Sequence, residues 1–416
     1  MALRPPFRFR LLSSRLLLGF LVGSPFTGAC FAQTIMPPSG PAGIVNVFNS
    51  DLAVLEAGDP RNDLPCTVTP DKPVLGFDLR FHAGYDVSLP LTEFAGSDNL
   101  LTIVFRVTRT DKKTDPVYFS QRVRVPFIDA DARGEATLQG AFDLGAGTYH
   151  VDWLMRDRSE RVCSDYWDSE AALSPKDSAM ELTIAQGAIQ SSEGEEFREE
   201  PPVIRVDKQP LNVKVLINFA PQNALSSAMQ PVDTTALVSI LRSIAREPQI
   251  GKFSVTAFNM PEQKVVYRQE DADRIDFPAL GRALTGLKLG TVTVSQLSEK
   301  HSDTEFLADL IKNEITAPDH PDALIFAGPK VMLDENVSPD LLKEVGDVHF
   351  PVFYMNYNRD PQAVPWKDTI SKTVKFFRGY EYTISRPRDL WFAVSDLVTR
   401  VVKSRNEKVL SSISRK

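Results

Sequence analysis

Two patterns of apolar residues divide this chain. Between residues 44 and 187, short stretches alternate apolar and polar side chains. They are VLGFDLRFHAGYDV (74–87), NLLTIVFRVTR (99–109), VYFSQRVRVPF (117–127), GEATLQGAFDL (134–144), GTYHVDWLMRD (147–157) and AMELTIAQ (179–186). Gly, Pro, Asp and Asn bound each stretch, and a repeat of two puts alternate side chains on one face of a strand. Helical periodicity is scarce here. The pattern predicts an N-terminal antiparallel β-sandwich of immunoglobulin-like or fibronectin-like type. FDLGAGTYHVDW (142–153) reads as a strand, a glycine-rich turn and a central strand, with Trp153 in the core. CSDYW (163–167) reads as a segment leaving the last hairpin.

From residue 212 to 402 the pattern becomes strand and helix in alternation. VKVLINFA (213–220) is a nearly continuous apolar run, as expected of a strand buried on both faces. VDTTALVSILRSIARE (232–247) places Leu237, Ile240, Leu241 and Ile244 on one helical face, with Asp233 or Thr234 available as a cap. KFSVTAFN and KVVYRQ flank MPEQ and predict a hairpin. SDTEFLADLIKNEI (302–315) opens with a capping box, Ser302 and Glu305. DALIFAG (322–328) and FPVFYMNYN (350–358) are further buried strands, with SPDLLKEVG (338–346) between them. WKDTISKTVKFF (366–377) can be helical, YEYTIS (380–385) is a last strand, and PRDLWFAVSDLVTRVV (387–402) is an amphipathic closing helix. The fold class is therefore all-β followed by α/β, the second part a doubly wound, mostly parallel sheet. Between the two, residues 188–211 contain QSSEGEEFREEPPVIRVDKQP, which predicts a solvated linker. The basic stretch 403–416 is expected to fray.

Composition adds a compartment. Residues 1–32 carry Arg4, Arg8, Arg10 and Arg15, then the apolar run LLLGFLVG and small residues. That is the layout of a secretory signal peptide, and the run is too short to span a membrane. Cleavage after Ala32 is expected; a lipid anchor on Cys30, within TGAC, is the alternative. No later segment resembles a transmembrane span. Removing four arginines from 47 basic residues leaves 43 against 54 acidic ones, a mature net charge of −11. An acidic exported chain attracts neither nucleic acid nor anionic lipid at long range. If Cys30 leaves with the leader, Cys66 and Cys163 remain, and an even pair in an oxidising compartment predicts a disulfide.

Familiar catalytic signatures are missing: there is no G-x-S-x-G, H-E-x-x-H or C-x-x-C. The five histidines, His82, His150, His301, His320 and His349, are far apart, and His301 and His320 read as surface-loop residues. GRALTGLK (281–288) misses a phosphate loop because Leu287 separates Gly286 from Lys288. Ser226 and Ser227 have no base to nominate, and Asp271 and Asp273 are only a fragment of a calcium loop.

The order strand, helix, hairpin, helical stretch, then alternating strands and helices resembles the von Willebrand factor A fold, a Rossmann-type architecture, over 213–402. The closing RGYEYTISRPRDLWFAVSDLV (378–398) is the nearest local match. The resemblance implies a metal-ion-dependent adhesion site, Asp-x-Ser-x-Ser, completed by a threonine and a later aspartate. The matching positions here are Asn218, Ala220 and Gln222, within NFAPQ, with Ala327 in place of the later aspartate. Divalent cations require hard oxygen ligands and carboxylate charge, so no metal and no cofactor is expected. The resulting expectation is an exported, non-catalytic protein that recognises another macromolecule, a protein of the cell envelope or exterior. Its contact surface would be the loops around Asn218–Ser227 and Ala327–Asn336, with 327–340 as a recognition loop. The competing readings are a secreted hydrolase at the same strand ends and a metal-dependent adhesion domain in a shifted register.

Overall fold

The first half is built on the two-residue repeat. A computed structural model of the chain describes residues 34–36, 47–96, 99–112, 115–192, 197–205, 209–222, 226, 229–287 and 302–413. The expected leader with Cys30, and Ser227, Lys288 and His301, lie outside these residues. In order come β1 (Thr34–Ile35), α1 (Asn49–Ala57), β2 (Thr67–Leu75), β3 (Phe81–Pro90), β4 (Asn99–Arg109), β5 (Val117–Val125), β6 (Glu135–Leu144), β7 (Gly147–Arg156), β8 (Val162–Ala171) and β9 (Ile189–Ser191). One sheet runs β1-β5-β4-β7-β8 and the other β2-β3-β6-β9. Every pairing in both is antiparallel. Tyr85 and Val87 of β3, Ile103 and Phe105 of β4, and Val151 and Trp153 of β7 are fully buried in one core. The Trp153 ring meets Tyr85 edge-on at 5.4 Å, and Phe105 stacks on Phe119 at 4.7 Å. Cys66 and Cys163 are bridged across a sequence separation of 97.

Three sequence readings of this half are corrected. Helix α1 interrupts a region expected to hold strands alone; it packs Val54 and Leu55 on Val104, Leu154 and Val162. Its apolar stripe is too short to show as a period, although Gly58, left-handed at φ 70°, marks its end. AMELTIAQ is irregular chain with a bend at Thr183–Ile184, not a strand; Met180 and Ile184 are buried without any ladder to extend. Cys163 lies inside β8, so the bridge holds residue 66, just before β2, against a strand rather than a loop.

The second half comprises β10 (Leu211–Asn218), α2 (Pro231–Arg246), β11 (Ile250–Asn259), β12 (Lys264–Ala272), α3 (Phe277–Leu284), α4 (Ser302–Thr316), β13 (Ala323–Pro329), α5 (Pro339–Glu344), β14 (Val352–Tyr357), α6 (Thr369–Phe376), β15 (Tyr380–Ile384) and α7 (Pro387–Ile413). The sheet order is β12-β11-β10-β13-β14-β15, and only the β11/β12 hairpin is antiparallel. Helices cover both faces. Val213, Val215 and Ile217 of β10 pack with α2, α3 and α7, whereas Leu216, with Leu324 and Phe326 of β13, packs with α4, α5 and α6. Burial from both sides explains why β10 and β13 read as continuous apolar runs.

Helix α7 also departs from expectation, because it continues to Ile413 instead of fraying after 402. Its extension is anchored: Arg405 donates to the Gln209 carbonyl at 2.7 Å. The stretch read as a solvated linker is partly built in. Ile189–Ser191 adds a strand beside β6. Glu200 is only 10% exposed and ion-pairs with Arg242 and Arg246 of α2 at 2.8 and 2.7 Å. Both halves belong to one compact unit. Across their junction Arg246 donates to Thr183 Oγ1 at 3.2 Å, and Phe77 meets Tyr357 edge-on at 5.9 Å.

Candidate functional site

Strands β10, β13 and β14 are parallel neighbours, and open α/β sheets gather ligands beyond their carboxyl ends. Asn218, Ala220, Gln222 and Ala327 all lie at or near this crest. Asn218 is 1% exposed, and its Oδ1 accepts the Met260 amide at 3.1 Å, closing the β11–β12 turn onto β10. Gly328, at φ +131°, brings β13 so close that a Cβ there would fall 2.8 Å from the Asn218 carbonyl oxygen. Only glycine accepts that combination. Ala220 and Ala327 are buried and offer no ligand atom. Gln222 turns its Nε2 to Asn358 Oδ1 at 3.3 Å.

The sequence reading missed the carboxylate at this crest. Asp233, taken there as a helix cap, sits in the first turn of α2; the capping position is Gln230. Asp233 is 3% exposed and accepts the Tyr357 hydroxyl at 3.0 Å and the Gln222 amide at 3.5 Å. Burial, and after it the Asp233 carboxylate, hold the Tyr357 hydroxyl protonated well above the ordinary tyrosine range. That keeps it a donor to Asp233. A divalent cation does not fit this donor set. Two of its four positions are alanines, the asparagine oxygen holds a main-chain amide, and the nearby carboxylate is occupied by a tyrosine.

Beside the crest, two loops are tied together. Lys330 donates to the carbonyls of Val364 and Trp366 at 2.5 and 2.6 Å. Asp368 accepts from the Val331 amide at 2.7 Å and the Tyr354 hydroxyl at 3.0 Å while capping α6 through the Ser371 amide at 2.8 Å. On this frame Met332 is 57% exposed and Trp366 63% exposed. The helix read as starting at Trp366 in fact starts at Thr369, so the tryptophan is a loop residue. The Asp-Thr pair ahead of the apolar run was the available signal.

A separate charged cluster sits in the sandwich. His82 is paired with Asp143 across β3 and β6, so a local sequence reading cannot see the contact. Its Nδ1 lies 2.8 Å from Asp143 Oδ1 and its Nε2 3.0 Å from Asp78 Oδ1. Arg80 adds a second cation, 3.3 Å from Asp143 Oδ2 and 3.7 Å from Asp78 Oδ2. Asp78, His82 and Asp143 each offer an atom that could hold a metal. Here, however, burial opposes the imidazolium and is outweighed by the two carboxylates, which raise the His82 pKa to about 10. Two anions facing two cations form a closed ion cluster. A pH consequence follows. Because the folded pKa exceeds the unfolded value of about 6.5, His82 contributes full stability below that pH and loses it as pH rises to about 10. Urea midpoints should fall between pH 6.5 and 10, and His82→Gln should flatten that slope; equal slopes in both proteins would contradict the assignment.

The remaining candidates stay apart. Asp271 and Asp273 both face Lys252, at 3.8 and 2.9 Å, and form an exposed ion-paired turn. His320 is exposed, at φ 39°. Among the described residues no helix is long and apolar enough to cross a membrane.

No protein-family model and no curated protein matches the sequence. Among solved structures, the chain is similar to beta-glucuronidase 2 of Bacteroides uniformis covalently bound to cyclophellitol-6-carboxylate aziridine, at 8% identity and TM-score 0.19, covering 75% of this chain and 38% of that one. It is also similar to the D319A mutant of the PilB minor pilin from Streptococcus sanguinis, at 10% identity and TM-score 0.29, covering 75% of this chain and 91% of the pilin. The chain thus spans well under half of the glucuronidase. Similarity at this level assigns no activity.

Proposed function

We propose that this is an exported, non-catalytic recognition protein whose α/β half is a von Willebrand factor A-like domain without the family's metal site. The strand order with a single antiparallel edge hairpin supports the family reading. The observation that carries the function is the crest itself. The polar groups of Asn218, Gln222, Asp233 and Tyr357 are spent on one another or on main chain, while Met332 and Trp366 project from loops that hydrogen bonds hold in place. Preorganised apolar side chains beside a polar surface suit a protein partner, because little ordering entropy is lost on contact. The acidic charge disfavours nucleic acid. A leader at residues 1–32 and the Cys66–Cys163 bridge agree with export to an oxidising compartment.

The test has two readouts. Calorimetry with magnesium, manganese and calcium should give no saturable binding. Affinity capture from envelope extract should retain a partner equally with and without a chelator, and lose it with a Met332→Asp, Trp366→Asp double variant. Retention by the double variant would dismiss the crest as the contact surface. Micromolar metal binding would restore the adhesion-site reading.

A further inference from the structure

A cavity of about 450 Å³ lies on the α/β half, away from the crest, between the segment 199–205 and the start of α3. It falls within the roughly 300–1,000 Å³ usual for small-molecule sites. Phe253 of β11, Ile275, Phe277, Val203 and Pro210 supply an apolar wall. Arg205, half-buried, and Arg274, exposed, line the same space.

The charges around it are unevenly committed. Glu200 holds Arg242 and Arg246, Asp273 holds Lys252 at 2.9 Å, and Asp276 caps α3 through the Ala279 amide at 2.8 Å. Arg205 is anchored by main chain alone: its Nη1 donates to the carbonyls of Glu247 at 2.9 Å and Ala245 at 3.4 Å, and its guanidinium lies over the Phe253 ring at 5.5 Å. Among the described residues, neither Arg205 nor Arg274 has a carboxylate within ion-pairing distance. Burial, and next the charge of Arg274, push the Arg205 pKa down against the weaker opposing pull of Asp273. A partly desolvated Arg205 therefore faces the cavity beside a second, exposed cation, and among the described residues neither is ion-paired. Such an arrangement is relieved by an anion from outside.

The anion's class follows from the walls. Ring and aliphatic surface favours an apolar body, and the acidic side chains at the rim, Glu199 among them, oppose multiply charged ligands such as phosphate. We infer that this cavity binds a small organic monocarboxylate, its apolar body against Phe253, Ile275 and Phe277 and its carboxylate toward Arg205 and Arg274. This site is independent of the crest and of the recognition function assigned to it.

Calorimetry on the full chain tests the inference with hexanoate, 4-phenylbutyrate and indole-3-acetate, each beside its neutral amide, and with inorganic phosphate. At least one acid should bind saturably, its amide should bind about tenfold or more weakly, and phosphate should not compete, since charge-assisted contacts of this kind differ from neutral ones by about a factor of ten. Arg274→Gln, at an exposed position, should weaken the acid by a similar factor; Arg205→Gln should do the same, with the melting temperature of both variants recorded alongside. Three silent acids, an amide as tight as its acid, or unchanged affinity in Arg274→Gln would each overturn the assignment.

Discussion

Replacing Glu200 by alanine should cost about 3–5 kcal/mol of stability, because it strips the counter-charge from buried cations. Arg242 is 11% exposed and its guanidinium lies 2.8 Å from Glu200; Arg246 lies 2.7 Å away. Burial, then repulsion from Arg246, Arg198 and Arg80, already lowers the Arg242 pKa, and Glu200 opposes that trend. Arg246 is about a third exposed, so solvent screens much of its share, and the loss falls mainly on Arg242. Glu200→Gln keeps the shape and should lose less than alanine. Glu199→Ala, one residue away and exposed, should change stability by less than about 0.5 kcal/mol. Urea unfolding at neutral pH checks the series, provided the slopes agree. A Glu200→Ala midpoint equal to that of Glu199→Ala would refute the account.

The second large effect concerns Cys66 and Cys163. A Cys66→Ala, Cys163→Ala chain should lose about 3–5 kcal/mol, since the bridge closes a long loop and so restricts the unfolded chain. The sequence separation is 97 residues, and the Cα atoms are 6.3 Å apart, within the ordinary range for a bridge. Cys163 is fully buried in the sandwich core beside Trp153 and Met155, so some of the loss will be packing rather than loop entropy. Unfolding the natural protein with and without reductant separates the two. Reductant should lower its midpoint toward that of the double variant, and leave the variant unmoved. An unchanged midpoint in reductant would show that the bridge adds nothing.

Periodicity made most of the backbone readable. The strands β3 to β7 and those of the α/β half stood out because most bury alternate or consecutive side chains, and burial is what periodicity reports. The largely exposed β2, β8 read as a segment leaving the hairpin, and the short β9 did not. The places where the reading failed share a cause, which is that contacts across the sequence decide them. Helix α1 buries too few residues to write a stripe, and 179–186 looks like a strand because its apolar side chains dock singly. The segment 197–205 looks solvated because its charges are counted without Arg242 and Arg246, which are about forty residues away. The crest was half legible. Asn218, Ala220, Gln222 and Ala327 could be located, and their poverty in ligands was plain. That Asp233 turns to Tyr357, and that His82 pairs with Asp143, depends on strand register and helix placement, which no local pattern encodes.

Phe77, on the turn between β2 and β3, rests against Tyr357, and Tyr357 holds Asp233 at the crest. A scissile bond cut anywhere between 188 and 211 would therefore not free two independent fragments. They would remain clasped through this aromatic edge and the Thr183–Arg246 bond, joined by the Glu200 clamp when the cut falls after residue 200, co-eluting until denaturant separates them.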